Sequence, residues 1–237
     1  MTKIKTISII AAILLLGALG ALFFNVFALP FLLTNSYFER FQFVKDFKQG
    51  KIIINPKEQV YIQENTALEK AINNAQKVVV GTQKNGVVTG SGLIATSDGS
   101  IITLASLVSS GTKVNFNGED TNYKIIKKDL KNNLALIKVE KNDLYTVGFA
   151  DFDNLIIGQR VFLIGVISVN TGNRFANEGI IRSFEENLIK TNISEKAIVN
   201  GSPLFNISGE LVGLSFISQD GKVSAISIDT IKSFLGL

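Results

Sequence analysis

Histidine, cysteine and tryptophan are all missing from the 237 residues, and proline occurs only three times. Without histidine the chain lacks the side chain that most often serves as a general base near neutral pH, and also the commonest metal ligand. Without cysteine it has no disulfide, no thiolate nucleophile and no thiolate metal site. Net charge is also low, at +4. Two of the 24 basic residues, Lys3 and Lys5, precede a long apolar run, and the rest nearly balance 20 acidic ones. No basic stripe accompanies the pI of 9.2, so no nucleic-acid partner is expected. No cofactor motif is present either, and none is expected to bind. What the chain has in excess is apolar character: 46% of residues are hydrophobic and mean hydropathy is +0.29.

Much of that excess lies between Ile7 and Leu33, which carry no charge. About 20 helical residues cross a bilayer core, so the run is long enough to span one. The apolar region of a cleavable signal peptide is shorter, about 7–15 residues. Residues 1–35 are therefore expected to form a retained signal anchor, a transmembrane helix that makes the membrane a partner, with a cleaved signal as the alternative. Tyr37, Phe38, Phe41, Phe43 and Phe47 follow, interleaved with charges, as in an interfacial collar or an amphipathic linker helix. Residues 36–66 are assigned to this collar and linker, with Lys51 to Gln63 extended around Pro56. Basic residues flank the run on both sides, so the charge rule leaves orientation open.

A short helix is expected from Asn65 to about Gln76. Beyond it, short β-type runs alternate with turn pairs such as Asn85-Gly86, Asp98-Gly99, Asn117-Gly118, Ser208-Gly209 and Asp220-Gly221. The expected strands cover residues 77–83, 87–95, 100–104, 113–116, 123–128 and 134–139, then 159–167, 179–185, 188–191, 204–207, 211–218 and 222–227. Twelve short strands without an intervening helix of any length predict an all-β barrel or sandwich fold. They divide into two sets of six near residues 145–154, which predicts two small barrels, at about 77–145 and 146–237. A short C-terminal helix is expected from Ile228 to Phe234.

Several segments then fall into a known order. Gly90-Ser91-Gly92-Leu93-Ile94 with Ser97 to Thr103 resembles the hairpin that opens the protease domain of the HtrA/Deg family. Asn133-Leu134-Ala135-Leu136-Ile137-Lys138 is similar to its aspartate-bearing strand, and Phe149 to Leu155 with Gly158 to Gly165 to the start of its second barrel. Glu178-Gly179-Ile180-Ile181 resembles the strand before the nucleophile region, and Asn200-Gly201-Ser202-Pro203-Leu204-Phe205-Asn206 with Gly209 to Gly213 the nucleophile loop and following hairpin. The likeness runs from about Ala67 to Phe234. It implies a trypsin-like double six-stranded β-barrel over residues 67–237, with a cleft between the barrels, and an outer-side location for the barrels with a cytoplasmic N-terminus.

The catalytic chemistry does not transfer. A triad needs a hydroxyl nucleophile, an imidazole base and a carboxylate that orients it. The resemblance puts Ser106 at the histidine position, Asn133 at the aspartate position and Asn200 at the serine position. Ile198 falls where a glycine shapes the oxyanion loop, and an isoleucine disfavours positive φ there. No competent catalytic residue is therefore expected.

Three readings stay open. The first is a membrane-held pseudoprotease that binds a peptide or protein in the cleft, with Asn200, Gly201 and Ser202 at its rim. The second is a structural β domain whose cleft is filled, with Ile198 and Val199 packed inward. The third is a peptidase with another nucleophile, for example Ser202 or Ser194 with Lys190 or Lys196 as base. Asp151 and Asp153 lack a third acidic partner in register, so no metal is expected. The sequons at Asn192, Asn200 and Asn206 are short enough to arise by chance.

Overall fold

The computed structural model describes residues 16–17, 19–35, 37–38, 56–168 and 170–237. Two compact units part between Tyr61 and Ile62.

In the first unit, helical residues 19–23 continue into a π-helical turn, Phe24–Ala28, and then into helix α1, Leu29–Thr34. Pro30 lies in the first turn of α1, where a missing N–H breaks no intrahelical bond. Among the described residues no helix is long and apolar enough to cross a membrane. Residues 7–15 and 18 of the expected span lie outside the described residues, as do Phe41, Phe43 and Phe47 of the expected collar.

The second unit begins within helix α2, Pro56–Ala75. The expected extended linker is corrected here: helix occupies residues 56–63 as well, so α2 starts nine residues before Asn65. Proline has a pre-set φ suited to the first helical turn, and Pro56 opens a stretch rich in good helix formers. Ala71 and Ala75 are buried, with Leu68 and Ile72 packed beside them against the core.

Seven antiparallel strands follow: β1 Val79–Lys84, β2 Val87–Ile94, β3 Ser100–Leu104, β4 Thr112–Phe116, β5 Glu119–Thr121, β6 Lys124–Asp129 and β7 Leu134–Lys138. Their order is β5-β4-β1-β2-β3-β7-β6, an open sheet rather than the closed six-stranded barrel expected. The additional strand β5 is only three residues long, and β6 kinks at a bulge between Ile125 and Lys127, so these two edges do not pair. Lysines 124, 127 and 128 line the β6 edge, a common protection against strand addition.

The second set closes as expected. Strands β8 Arg160–Val166, β9 Arg174–Glu185, β10 Leu188–Ser194, β11 Pro203–Asn206, β12 Leu211–Ile217 and β13 Lys222–Ser227 form a barrel in the order β10-β13-β12-β11-β8-β9. Helix α3, Ile228–Leu235, ends the chain. The Ser227 side chain caps its N-terminus, and Gly236 at φ 84° ends it in the left-handed conformation.

Two apolar cores result. One fills the barrel with Val161, Leu163, Ile181, Ile189, Val199, Val212 and Val223. The other joins the inner face of the open sheet to α2, to the outer face of the barrel through Phe162, Phe205, Leu214 and Ile226, and to Ile228, Ile231 and Phe234 of α3.

Candidate functional site

The chain leaves β3 through a single 3-10 turn, Ala105–Leu107, which presents Ser106 to solvent. Asn133 immediately precedes β7 with φ 53°, a conformation asparagine tolerates better than most residues. Upstream, the Asp129 carboxylate accepts the N–H groups of Lys131 and Asn132 and the Asn132 side-chain amide, bonds that hold it below its ordinary range. So positioned, the Asn133 Oδ1 accepts the Ser106 N–H at 2.9 Å, and its backbone oxygen accepts the Ala105 N–H at 2.9 Å. Two positions 27 residues apart thus meet at the end of the open sheet. Their side chains are a hydroxyl and a neutral amide, and neither accepts a proton near neutral pH.

Asn200 follows another 3-10 turn, Ala197–Val199, and is bonded in three directions. Its N–H donates to the Ala197 oxygen at 3.0 Å, its carbonyl accepts the Ser91 N–H at 2.9 Å, and its Oδ1 accepts the Ile217 N–H at 3.0 Å. Gly201 comes next with φ 76°; a Cβ there would meet the Ser91 oxygen at 2.2 Å and Leu107 Cδ1 at 2.9 Å. Leu107 adjoins Ser106, so the three positions that the resemblance assigns lie near one junction. The Asn200 N–H, which an oxyanion loop would direct at substrate, is spent inside its own turn.

The residues beside Asn200 face inward. Val199 is fully buried in the barrel core, and Ile198 is half-buried against it. The expected rim is corrected accordingly: Gly201 and Ser202 are buried, and only Asn200 keeps partial access. Ser202 N–H donates to the Val199 oxygen, and its own carbonyl accepts from Ser215, which draws both residues into the ladder ahead of β11. The Ser202 Oγ is buried without a hydrogen-bond partner, and a Cβ on Gly165 would meet it at 2.9 Å.

A groove of about 420 Å³ opens beside Asn133, floored by Leu188, Phe216 and Ile226 and edged by Asn132 and Thr230. None of residues 197–202 lines it. Sequence reasoning missed Leu188, Phe216 and Ile226, because apolar residues in strands read as ordinary core.

The other candidates separate. Ser194 accepts from Lys222 Nζ at 2.6 Å, while Lys190 pairs with Glu185 at 3.5 Å. Ser194 is exposed and Lys222 only half-buried, so this pair lacks the desolvation that makes a lysine a base. No contact joins Lys196 to either serine. Asp151 caps the turn Phe152–Asn154 by accepting from Asp153 N and Asn154 Nδ2. Asn206 is buried and its Oδ1 accepts the N–H groups of Ser208 and Glu210, a structural use of that amide.

Residues 90–214 match the family described as trypsin-like peptidase domain. The chain is 31% identical over 150 residues to a probable periplasmic serine endoprotease DegP-like of Pseudomonas fulva, covering 57% of this chain and 30% of that protein. It is 30% identical over 179 residues to serine protease HTRA1A of Danio rerio, covering 68% and 36%. The chain thus spans about a third of the length of these curated relatives. Among solved structures, the serine endoprotease from Yersinia pestis superposes with a TM-score of 0.63 at 24% identity, over 71% of this chain and 65% of that one, a likeness of fold.

Proposed function

Because this chain belongs to the trypsin-like peptidase domain family, with HtrA/Deg-type proteases among its relatives, we propose that it is a pseudoprotease that retains the fold for binding. One observation carries the reading: the Asn200 side chain and N–H are both committed to internal hydrogen bonds, next to a Ser106–Asn133 pair with no base. Losing a triad costs about a million-fold in turnover in the subtilisin example, which leaves no useful hydrolysis. The groove beside Asn133 is the surface on which a peptide or protein would be held. The apolar run from Ile7 to Leu33 would tether it to a membrane, with the barrel side extracytoplasmic, as the periplasmic naming of its relatives suggests. The test is to incubate the full-length protein with casein and with a fluorophosphonate probe. Neither cleavage nor covalent labelling is expected; labelling of any serine would overturn the reading.

A purely structural domain is the second reading, favoured by the inward packing of Val199 and Ile198. Substitutions in the groove floor separate the two: Phe216→Glu abolishes capture of partners from membranes if the groove binds, and leaves the captured set unchanged if it does not.

A further inference from the structure

On the outer face of the closed barrel, strands β9, β10 and β13 and the turn between β12 and β13 converge on a polar pocket of about 290 Å³ whose cations are Arg182, Lys190 and Lys222. The strand registers explain why they meet. Lys190 of β10 stands opposite Ser183 of β9 on one side and Ser224 of β13 on the other, so a hydroxyl, an ammonium and a second hydroxyl lie in one cross-strand row. The next pair is Thr191 with Ile181, which leaves Arg182 as the extra residue of a bulge. A bulge re-aims a side chain that regular alternation would send to the opposite face. Here Arg182 lines the same pocket as its neighbour Ser183.

Polar groups in this pocket are only partly satisfied from within. Lys190 faces Glu185 at 3.5 Å. The Asp220 carboxylate accepts from Ser218 Oγ at 2.6 Å and from the Lys222 N–H at 3.1 Å, while Lys222 Nζ donates to Ser194. Glu185 and Asp220 thus offset two of the three cations. Among the described residues the exposed Arg182 guanidinium has no partner, and the Ser224 Oγ, enclosed behind the pocket wall, has none either. A guanidinium without a partner beside the Ser183 hydroxyl matches the oxygens of a tetrahedral anion.

The geometry points to this pocket as a binding site for a phosphate group, held by the Arg182 guanidinium and the Lys190 ammonium with hydroxyl donation from Ser183. The site is independent of the groove reading, since it stands on a different set of residues. A free phosphate ion and the phosphate of a lipid headgroup share this chemistry.

The experiment uses the full-length protein in neutral detergent micelles, titrated calorimetrically with inorganic phosphate at constant ionic strength against a chloride control. Saturable one-site binding is expected for the wild type. Arg182→Gln should weaken it at least about tenfold and Lys190→Gln by about threefold, while Lys113→Gln, away from the pocket, leaves it unchanged. Unfolding midpoints measured without phosphate show whether each variant is folded. A water-soluble short-chain phosphatidic acid is titrated in parallel: tighter binding than inorganic phosphate identifies a headgroup site, and equal binding a free-phosphate site. Absence of saturation in the wild type, or undiminished binding by folded Arg182→Gln, overturns the assignment.

Discussion

The side-chain oxygen of Asn200 accepts the backbone N–H of Ile217 at 3.0 Å, so this asparagine ties down the last residue of β12. Replacing Asn200 with alanine leaves that part-buried N–H without its partner, at a cost of about 1–3 kcal/mol. Asn200→Asp keeps an acceptor in place and should cost less. Urea unfolding of the two variants beside the wild type checks the ordering.

On the proposed reading, installing the three triad side chains at the positions assigned to them should not confer activity. In the triple variant Ser106→His, Asn133→Asp, Asn200→Ser, the backbone N–H of residue 200 remains bonded to the Ala197 oxygen, and Ile198 and Val199 still pack on the barrel core. Loss of a single oxyanion donor costs about 10²–10³ in turnover, and here the N–H groups of Asn200, Gly201 and Ser202 all bond internally. A fluorophosphonate probe should leave the folded triple variant unlabelled; rapid labelling would show that the loop reopens.

Core substitutions in the same loop should rank by burial. Val199 is fully buried and Ile198 only partly so. Val199→Ala is expected to cost about 2 kcal/mol, by lost transfer energy and the cavity left behind, and Ile198→Ala about half as much. Ser202→Trp belongs with these as a folding variant, since the site is buried beneath Gly165. Thermal unfolding gives the order.

Gly201 admits no side chain. Its φ of 76° already disfavours an L-residue, and a Cβ would lie 2.2 Å from the Ser91 oxygen. Gly201→Ala should lose more than about 2 kcal/mol, measured by unfolding or seen as loss of soluble protein.

Acid stability should carry the signature of Asp98. Its side-chain bonds with Lys138, at 2.5 Å, and with Thr96 lower its pKa from 3.8 to about 2. A carboxyl depressed in the folded state contributes stability that is present above about pH 4 and lost as pH falls through about 2. Asp98→Asn should therefore flatten the fall in unfolding midpoint between these values. An unchanged slope would mean that the exposed pair contributes nothing measurable.

Much of the strand layout was legible because the turns declare themselves. Asn85-Gly86 and Asn117-Gly118 both take the positive φ values that two-residue hairpins need. Strand β5 was not legible: Glu119-Asp120-Thr121 has no apolar alternation and exists through backbone pairing with β4. Pro56 misled for the opposite reason, since proline marks a linker and a helix start equally well. At the site, the resemblance assigned Ser106, Asn133 and Asn200, while the hydrogen bond between the first two was not legible in the sequence. The Asn200–Ile217 bond, the burial of Ser202 and the bulge at Arg182 depend on register, which hydrophobic pattern does not encode.

The apolar cluster shared by the open sheet, the outer wall of the barrel and α3 has a consequence for cooperativity. Phe162, Phe205, Leu214 and Ile226 are barrel residues that complete the sheet's interior, and Lys127 of β6 donates to the Phe234 oxygen at 2.5 Å across 107 residues of chain. The barrel has an interior of its own, but its outer wall and the inner face of the sheet share the second core. Excised alone, each would expose the surface that the other covers, so the two halves should melt in one transition and exchange their slowest amide protons at a common rate.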